Sequence, residues 1–109
     1  MIEINNEDEL YRVVQEHEIV VLFFSASWCI PCKKMKKLLD KISSEESLKI
    51  QVANIDIEKY VNLTLSNNIN VIPMVHYYKN GNVFLKESGL KTHSYVFQNI
   101  EALIKVVSI

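Results

Sequence analysis

Trp28-Cys29-Ile30-Pro31-Cys32-Lys33 contains both cysteines of the 109-residue chain, with two residues between them. Ahead of it runs Ile19-Val20-Val21-Leu22-Phe23-Phe24, apolar throughout, which predicts a buried strand. Behind it Met35, Leu38, Leu39 and Ile42 recur at helical spacing and predict an amphipathic helix. The cysteine pair therefore falls where a strand hands over to a helix. Unsatisfied N–H groups at such a helix start favour negative charge, and a cysteine placed there favours its thiolate.

Composition narrows the possibilities further. The length predicts one domain over residues 1–109 with a single core, and 49% hydrophobic content is ordinary for a globular chain. A net charge of −1 gives no reason to expect nucleic acid or a membrane surface as partner. No apolar run approaches the length of a spanning helix. The start, from Met1 to Glu9, is acidic and lacks the basic, then apolar, pattern of a signal peptide, so a cytoplasmic location is expected. In a reducing compartment two close cysteines point to catalysis or metal binding before a structural staple.

Outward from the motif the elements read in order. Ile2 and Ile4 flank Glu3 in a short edge strand. Asn5 or Asn6 caps a first helix that runs to about His17, with Glu7, Asp8 and Glu9 in its first turn. A strand over 19–25 leads into a helix from about Pro31 to Ser43. A third strand is expected from Leu48 to Ile57, and a shorter helix from about Glu58 to Ser66. Pro73 precedes a strand over Met74–Tyr78, and Asn80-Gly81 signals a hairpin back through Val83–Glu87. A last helix, about Ser94 to Val107, should turn Val96, Phe97, Ile100, Leu103, Ile104 and Val107 inward. The order β-α-β-α-β-α-β-β-α predicts an α/β fold with a mixed five-stranded central sheet flanked by four helices.

Residues three apart on a helix share a face, with Cβ atoms roughly 5–6 Å apart. A disulfide can then close and open without rebuilding the backbone. Cys29, at the helix start, is the expected nucleophile, and Cys32, one turn deeper, the resolving cysteine. Pro31 suits the opening turn, where no N–H is lost that the helix needs. Trp28 either shields the site and offers a docking surface or packs in the core. Lys33, Lys34, Lys36 and Lys37 read as a solvated helix face, with Lys33 near enough to assist the thiolate. Half a zinc site is the competing reading of the cysteines. Zinc takes four ligands, no second Cys-x-x-Cys exists, and His17, His76 and His93 are scattered, so no metal site is expected.

With these residues in view, the chain resembles the thioredoxin family over nearly its whole length. The likeness rests on the cysteine motif, on Asn54-Ile55-Asp56, on Ile72-Pro73, and on Lys79-Asn80-Gly81 with Gly89 eight residues later. The resemblance implies a thioredoxin fold with strand order β1-β3-β2-β4-β5 and a cis Ile72–Pro73 bond facing the sulfurs. It also implies a substrate groove formed by Trp28, Ile30, Pro31, Ile72, Pro73 and Gly89.

The chain departs from the family at telling places. Phe23 stands where the family usually carries a buried Asp, and Val52 where a Lys often pairs with it. Ser25 replaces a second Trp, and Lys37 a proline that often kinks the helix. Cys32 is thus left without an obvious protein base. Its attack is expected to be slower, or to rely on water or the leaving group.

The resemblance implies a thiol–disulfide oxidoreductase that reduces protein disulfides, is itself recharged by a thioredoxin reductase, and needs no cofactor of its own. Two alternatives stand beside it: a specialised thioredoxin-like protein with one dedicated partner, and a redox-inert peptide-binding module.

Overall fold

The structure is a computed structural model, and it describes residues 1–106. Its elements are β1 (Ile2–Glu3), α1 (Glu7–Glu16), β2 (Ile19–Ser25), α2 (Ile30–Ser43), a 3-10 turn (Glu46–Leu48), β3 (Gln51–Asp56), α3 (Val61–Ser66), β4 (Met74–Lys79), β5 (Asn82–Ser88) and α4 (His93–Lys105). The sheet order is β1-β3-β2-β4-β5, the order the resemblance implied. β3 pairs parallel with both β1 and β2, whereas β4 pairs antiparallel with β2 and β5.

β2 is central, and its apolar run is buried on both faces, as period-two geometry requires of a middle strand covered twice. Ile19, Val21 and Phe23 face a core shared with Met35, Leu39 and Ile42 of α2 and Val96, Ile100 and Leu103 of α4. Val20, Leu22 and Phe24 face the other core, with Val14 of α1 and Leu63 of α3. The cysteine motif follows directly from the end of this strand, so the most constrained element of the fold aims it.

Several boundaries move for local reasons. Asn6, not Asn5, caps α1: its Oδ1 accepts the Glu9 N–H at 2.9 Å. Leu48 is not in β3. It closes the 3-10 turn, and Lys49 follows with φ 51°, a left-handed conformation that ends any strand pairing. Glu58 and Lys59 are not in α3, because the Asp56 carboxylate accepts both of their N–H groups at 2.9 and 3.3 Å and holds them in a turn. The β4–β5 hairpin turns on Asn80 and Gly81, with φ 51° and 82°. α2 is one uninterrupted helix through Lys37. In α4, Ile104 is 43% exposed rather than inward. Val107 lies outside the described residues.

Two buried polar groups could not be placed from sequence. Lys79, at the end of β4, is buried, and its Nζ donates to the carbonyls of Leu103, Ile104 and Val106 at 2.6, 3.2 and 2.6 Å. Glu18 Oε2 lies 3.7 Å away. The ammonium therefore caps the negative end of α4 and satisfies carbonyls the helix leaves open. Lys79→Met should cost about 2–3 kcal/mol in urea unfolding, since the carbonyls lose a charged donor. Amide exchange should rise in the last turn of α4 before it rises in β2.

His76 lies on the sheet face toward α1 and α3, 2% exposed, its ring edge-on to Phe24 at 4.9 Å. Its Nδ1 is buried without a hydrogen bond. Burial first, and the nearby Lys86 charge second, lower its pKa from 6.5 to about 4. The neutral ring is thus the folded form. The associated stability is complete above pH 6.5 and is lost as pH falls toward 4, because the unfolded chain takes up the proton first. At about 1.4 kcal/mol per pKa unit, the loss approaches roughly 3 kcal/mol. Urea unfolding between pH 7.5 and 4 should show it in the wild type and lack it in His76→Phe.

Candidate active site

α2 begins at the cysteine motif, and its first residues explain the site. Cys29 is the N-cap, and its Sγ accepts the Cys32 N–H at 3.2 Å. The sulfur occupies the position that a Ser or Asp oxygen takes in an ordinary cap. α1 shows the ordinary arrangement, with Glu7, Asp8 and Glu9 in its first turn; α2 has no acid there and carries Lys33 instead. Lysine at a helix start is unfavourable to the helix dipole unless another anion is present. The reduced sulfur of Cys29, as a thiolate, would supply that anion, so the local charge pattern suits a reactive sulfur better than helix stability.

Cys29 and Cys32 are joined as a disulfide, with Cα atoms 5.2 Å apart. Both are nearly buried, at 5% and 2%, Cys32 the deeper. Phe23 and Val52 are wholly buried in the cluster that holds both cysteines. Ser25 donates its hydroxyl to Asn54 Oδ1 at 2.7 Å, and Asn54 donates in turn to Glu3, so its polar contacts stay within the sheet.

The other expected groove residues have these placements. The Ile72–Pro73 bond is cis, as the resemblance implied. Gly89 has φ 89°, a conformation that favours glycine, and donates its N–H to the Pro73 carbonyl at 2.9 Å. That bond ties the Gly89 loop to the cis segment. Trp28 and Ile30 are 63% and 67% exposed, so the core reading of Trp28 is set aside in favour of a surface one. Pro31 is also exposed, in the opening turn of α2.

Two residues of this surface were missed from sequence, Val71 and Leu90, both exposed. They adjoin Ile72 and Gly89, and an apolar residue beside a groove position was the only available signal. Trp28, Val71 and Ile72, together with Ile57, Ile69 and Asn70, line a cavity of about 380 Å³. Exposed apolar side chains such as Trp28 and Ile30, the chain neighbours of Cys29, offer a contact surface. Among the described residues no three His, Cys, Asp or Glu side chains converge as a metal site would need.

Comparison with known proteins agrees with this geometry. The thioredoxin family profile matches residues 1–102. The mitochondrial thioredoxin of Bos taurus is 34% identical over 94 residues, covering 86% of this chain and 54% of that protein. The chain thus spans about half the length of the mitochondrial relatives it matches. A mutant thioredoxin from Halobacterium salinarum superposes with a TM-score of 0.90 at 20% identity, covering 98% of this chain and 93% of that one. Plasmodium falciparum thioredoxin gives 0.82 at 25% identity, over 94% and 98%. The chain belongs to the thioredoxin family.

Proposed function

We infer that this protein is a thiol–disulfide oxidoreductase that reduces disulfides in other proteins through Cys29 and Cys32. The observation that carries the reading is a cysteine sulfur serving as the cap of a helix whose first turn holds no acid and one lysine. In this reading the Cys29 thiolate attacks one sulfur of a substrate disulfide, and the substrate's other sulfur leaves. Cys32 then attacks Cys29, releases the second substrate sulfur and closes the internal disulfide. Trp28, Ile30 and Pro31 form one wall for the substrate, Ile72, Pro73 and Gly89 the other. The Ile72 N–H and carbonyl make no hydrogen bond among the described residues, which leaves them open to an extended substrate segment.

Partners follow from the chemistry. The substrates are proteins with accessible disulfides. Electrons return from a thioredoxin reductase, a flavoenzyme using NADPH. The working compartment is reducing, the cytoplasm in the simplest case.

Insulin reduction with dithiothreitol, followed by turbidity, tests the activity, and turnover well above the uncatalysed rate is expected. No acceleration would favour a redox-inert peptide-binding module. Coupling to NADPH and a thioredoxin reductase then separates a general reductant from a protein with one dedicated partner. The apolar pair Phe23 and Val52 behind Cys32 favours the specialised alternative, which predicts weak coupling alongside intact dithiothreitol-driven turnover.

A further inference from the structure

The second half of the exchange needs Cys32 as a thiolate, because the thiol is a poor nucleophile. The side of Cys32 facing the core opposes ionisation. It lies among Phe23, Met35 and Val52, and apolar burial favours the neutral thiol. Tyr77, another titratable side chain in that cluster, has its hydroxyl 3.5 Å from the Asn99 amide, which donates to it, and offers Cys32 nothing.

Cys32 also borders a cavity of about 290 Å³, roomy enough for water, lined by Phe23 and Ala26 together with Lys33, Lys36 and Asp56. Its rim is open at Ser27 and Lys36, both exposed. Lys36 follows Cys32 by four residues and therefore stands over the same helical face, one turn on. Its ion pair runs along α2 to Asp40 Oδ2 at 3.1 Å, not across the cavity. Asp56 turns Oδ1 to the amides of Glu58 and Lys59. Glu58 accepts the Ser27 hydroxyl at 3.2 Å. Cys32 thus borders a cavity whose lining combines apolar Phe23 and Ala26 with two residues of positive charge, Lys33 and Lys36, and one of negative charge, Asp56.

We propose that Lys36 is a positioning residue for resolution: its ammonium stabilises the Cys32 thiolate across this cavity, and the thiol proton leaves to water, with no buried carboxylate involved. The proposal rests on the oxidoreductase reading above. In the step, Cys32 gives its proton to cavity water, and the thiolate forms a bond to Cys29 Sγ. The bond between Cys29 and the substrate sulfur breaks, and its electron pair leaves on that sulfur, which takes a proton from solvent. The substrate gains two electrons, and Cys29–Cys32 is the oxidised product. Lys33 adds to the same field but sits in the first turn beside Cys29 and acts on both sulfurs. Asp56, of opposite sign, works against the Cys32 thiolate.

The opposed signs supply the test. In a Cys29→Ser background no internal disulfide forms, and the rate of iodoacetamide alkylation against pH reports the Cys32 thiolate directly. Lys36→Gln should raise the midpoint by about 0.5 unit and slow alkylation at pH 7 about threefold, and 0.5 M salt should shrink the difference. Lys36→Arg should restore the wild-type midpoint. Asp56→Asn, whose amide oxygen still accepts the Glu58 N–H, should move it the opposite way. With Cys29 restored, dithiobis(nitrobenzoate) forms a mixed disulfide at Cys29, and release of the second nitrothiobenzoate should follow the same ranking.

An unshifted midpoint in Lys36→Gln, or a shift in the same direction as Asp56→Asn, overturns the proposal. Because alkylation reads only the thiol, loss of the lysine effect with insulin turnover intact removes this inference alone. Absence of turnover in the wild type removes the oxidoreductase reading instead.

Discussion

Cys29→Ser should lower insulin reduction on the order of a thousandfold or more, to the level of dithiothreitol alone. Serine's oxygen can still cap α2, accepting the Cys32 N–H that Cys29 Sγ accepts at 3.2 Å, so folding should be little affected. What disappears is the one sulfur placed where a helix start and Lys33 favour its charge. Removal of a covalent nucleophile eliminates the pathway rather than slowing one step of it. Cys32→Ser should behave differently. Attack by Cys29 survives, so a disulfide-bearing substrate accumulates as a mixed disulfide that non-reducing electrophoresis can capture. Capture by Cys29→Ser, with none by Cys32→Ser, would reverse the two roles.

Phe23→Asp should destabilise the fold by about 4 kcal/mol or more, read as a lower urea midpoint. Phe23 is fully buried on β2 in the cluster that holds Cys32, Val52 and Tyr77. Replacement removes a ring from a packed core and leaves a carboxyl group with no hydrogen-bonding partner. Total stability in a domain of this size is only about 5–15 kcal/mol, so much of the margin would go. Adding Val52→Lys should recover part of the loss, because Val52 faces the same core from the adjacent strand. The double variant supplies a counter-ion but not the solvation both charges lose, so full recovery is not expected. A Phe23→Asp protein as stable as the wild type would mean that the carboxylate is solvated through the cavity that Phe23 lines with Cys32 and Lys36.

The apolar run before Cys29 and the helical spacing after it were legible because each is a local pattern with one geometric solution. A run without polar interruption has no solvent face, so β2 had to be central. The hairpin was equally plain, since Asn80-Gly81 supplies two adjacent residues tolerant of positive φ. Errors fell where a side chain overrules its own neighbourhood. Leu48 alternates well enough for a strand, yet Lys49 turns left-handed beside it. Glu58 looks helical until Asp56 claims its amide. Ile104 reads as part of the inward stripe of α4, yet Leu103 beside it takes the buried position and Ile104 is 43% exposed.

The candidate site divides in the same way. Cys29 and Cys32 were readable because their spacing puts two sulfurs on one helical turn, a relation contained in four consecutive residues. Pro73 and Gly89 came through resemblance, and only the fold showed the 2.9 Å bond that joins them.

From its residues alone, the chain determined the strand-to-helix handover, the charge pattern around Cys29 and the apolar residues at positions 23 and 52. Tertiary structure alone decided that Lys79 caps a helix 24 residues away, that His76 is buried with an unpaired Nδ1, and that Lys36 and Asp56 border one cavity with Cys32. The difference is physical. Periodicity and capping act over one or two turns of chain, whereas the surroundings of a charge depend on which distant segments the closed sheet brings beside it.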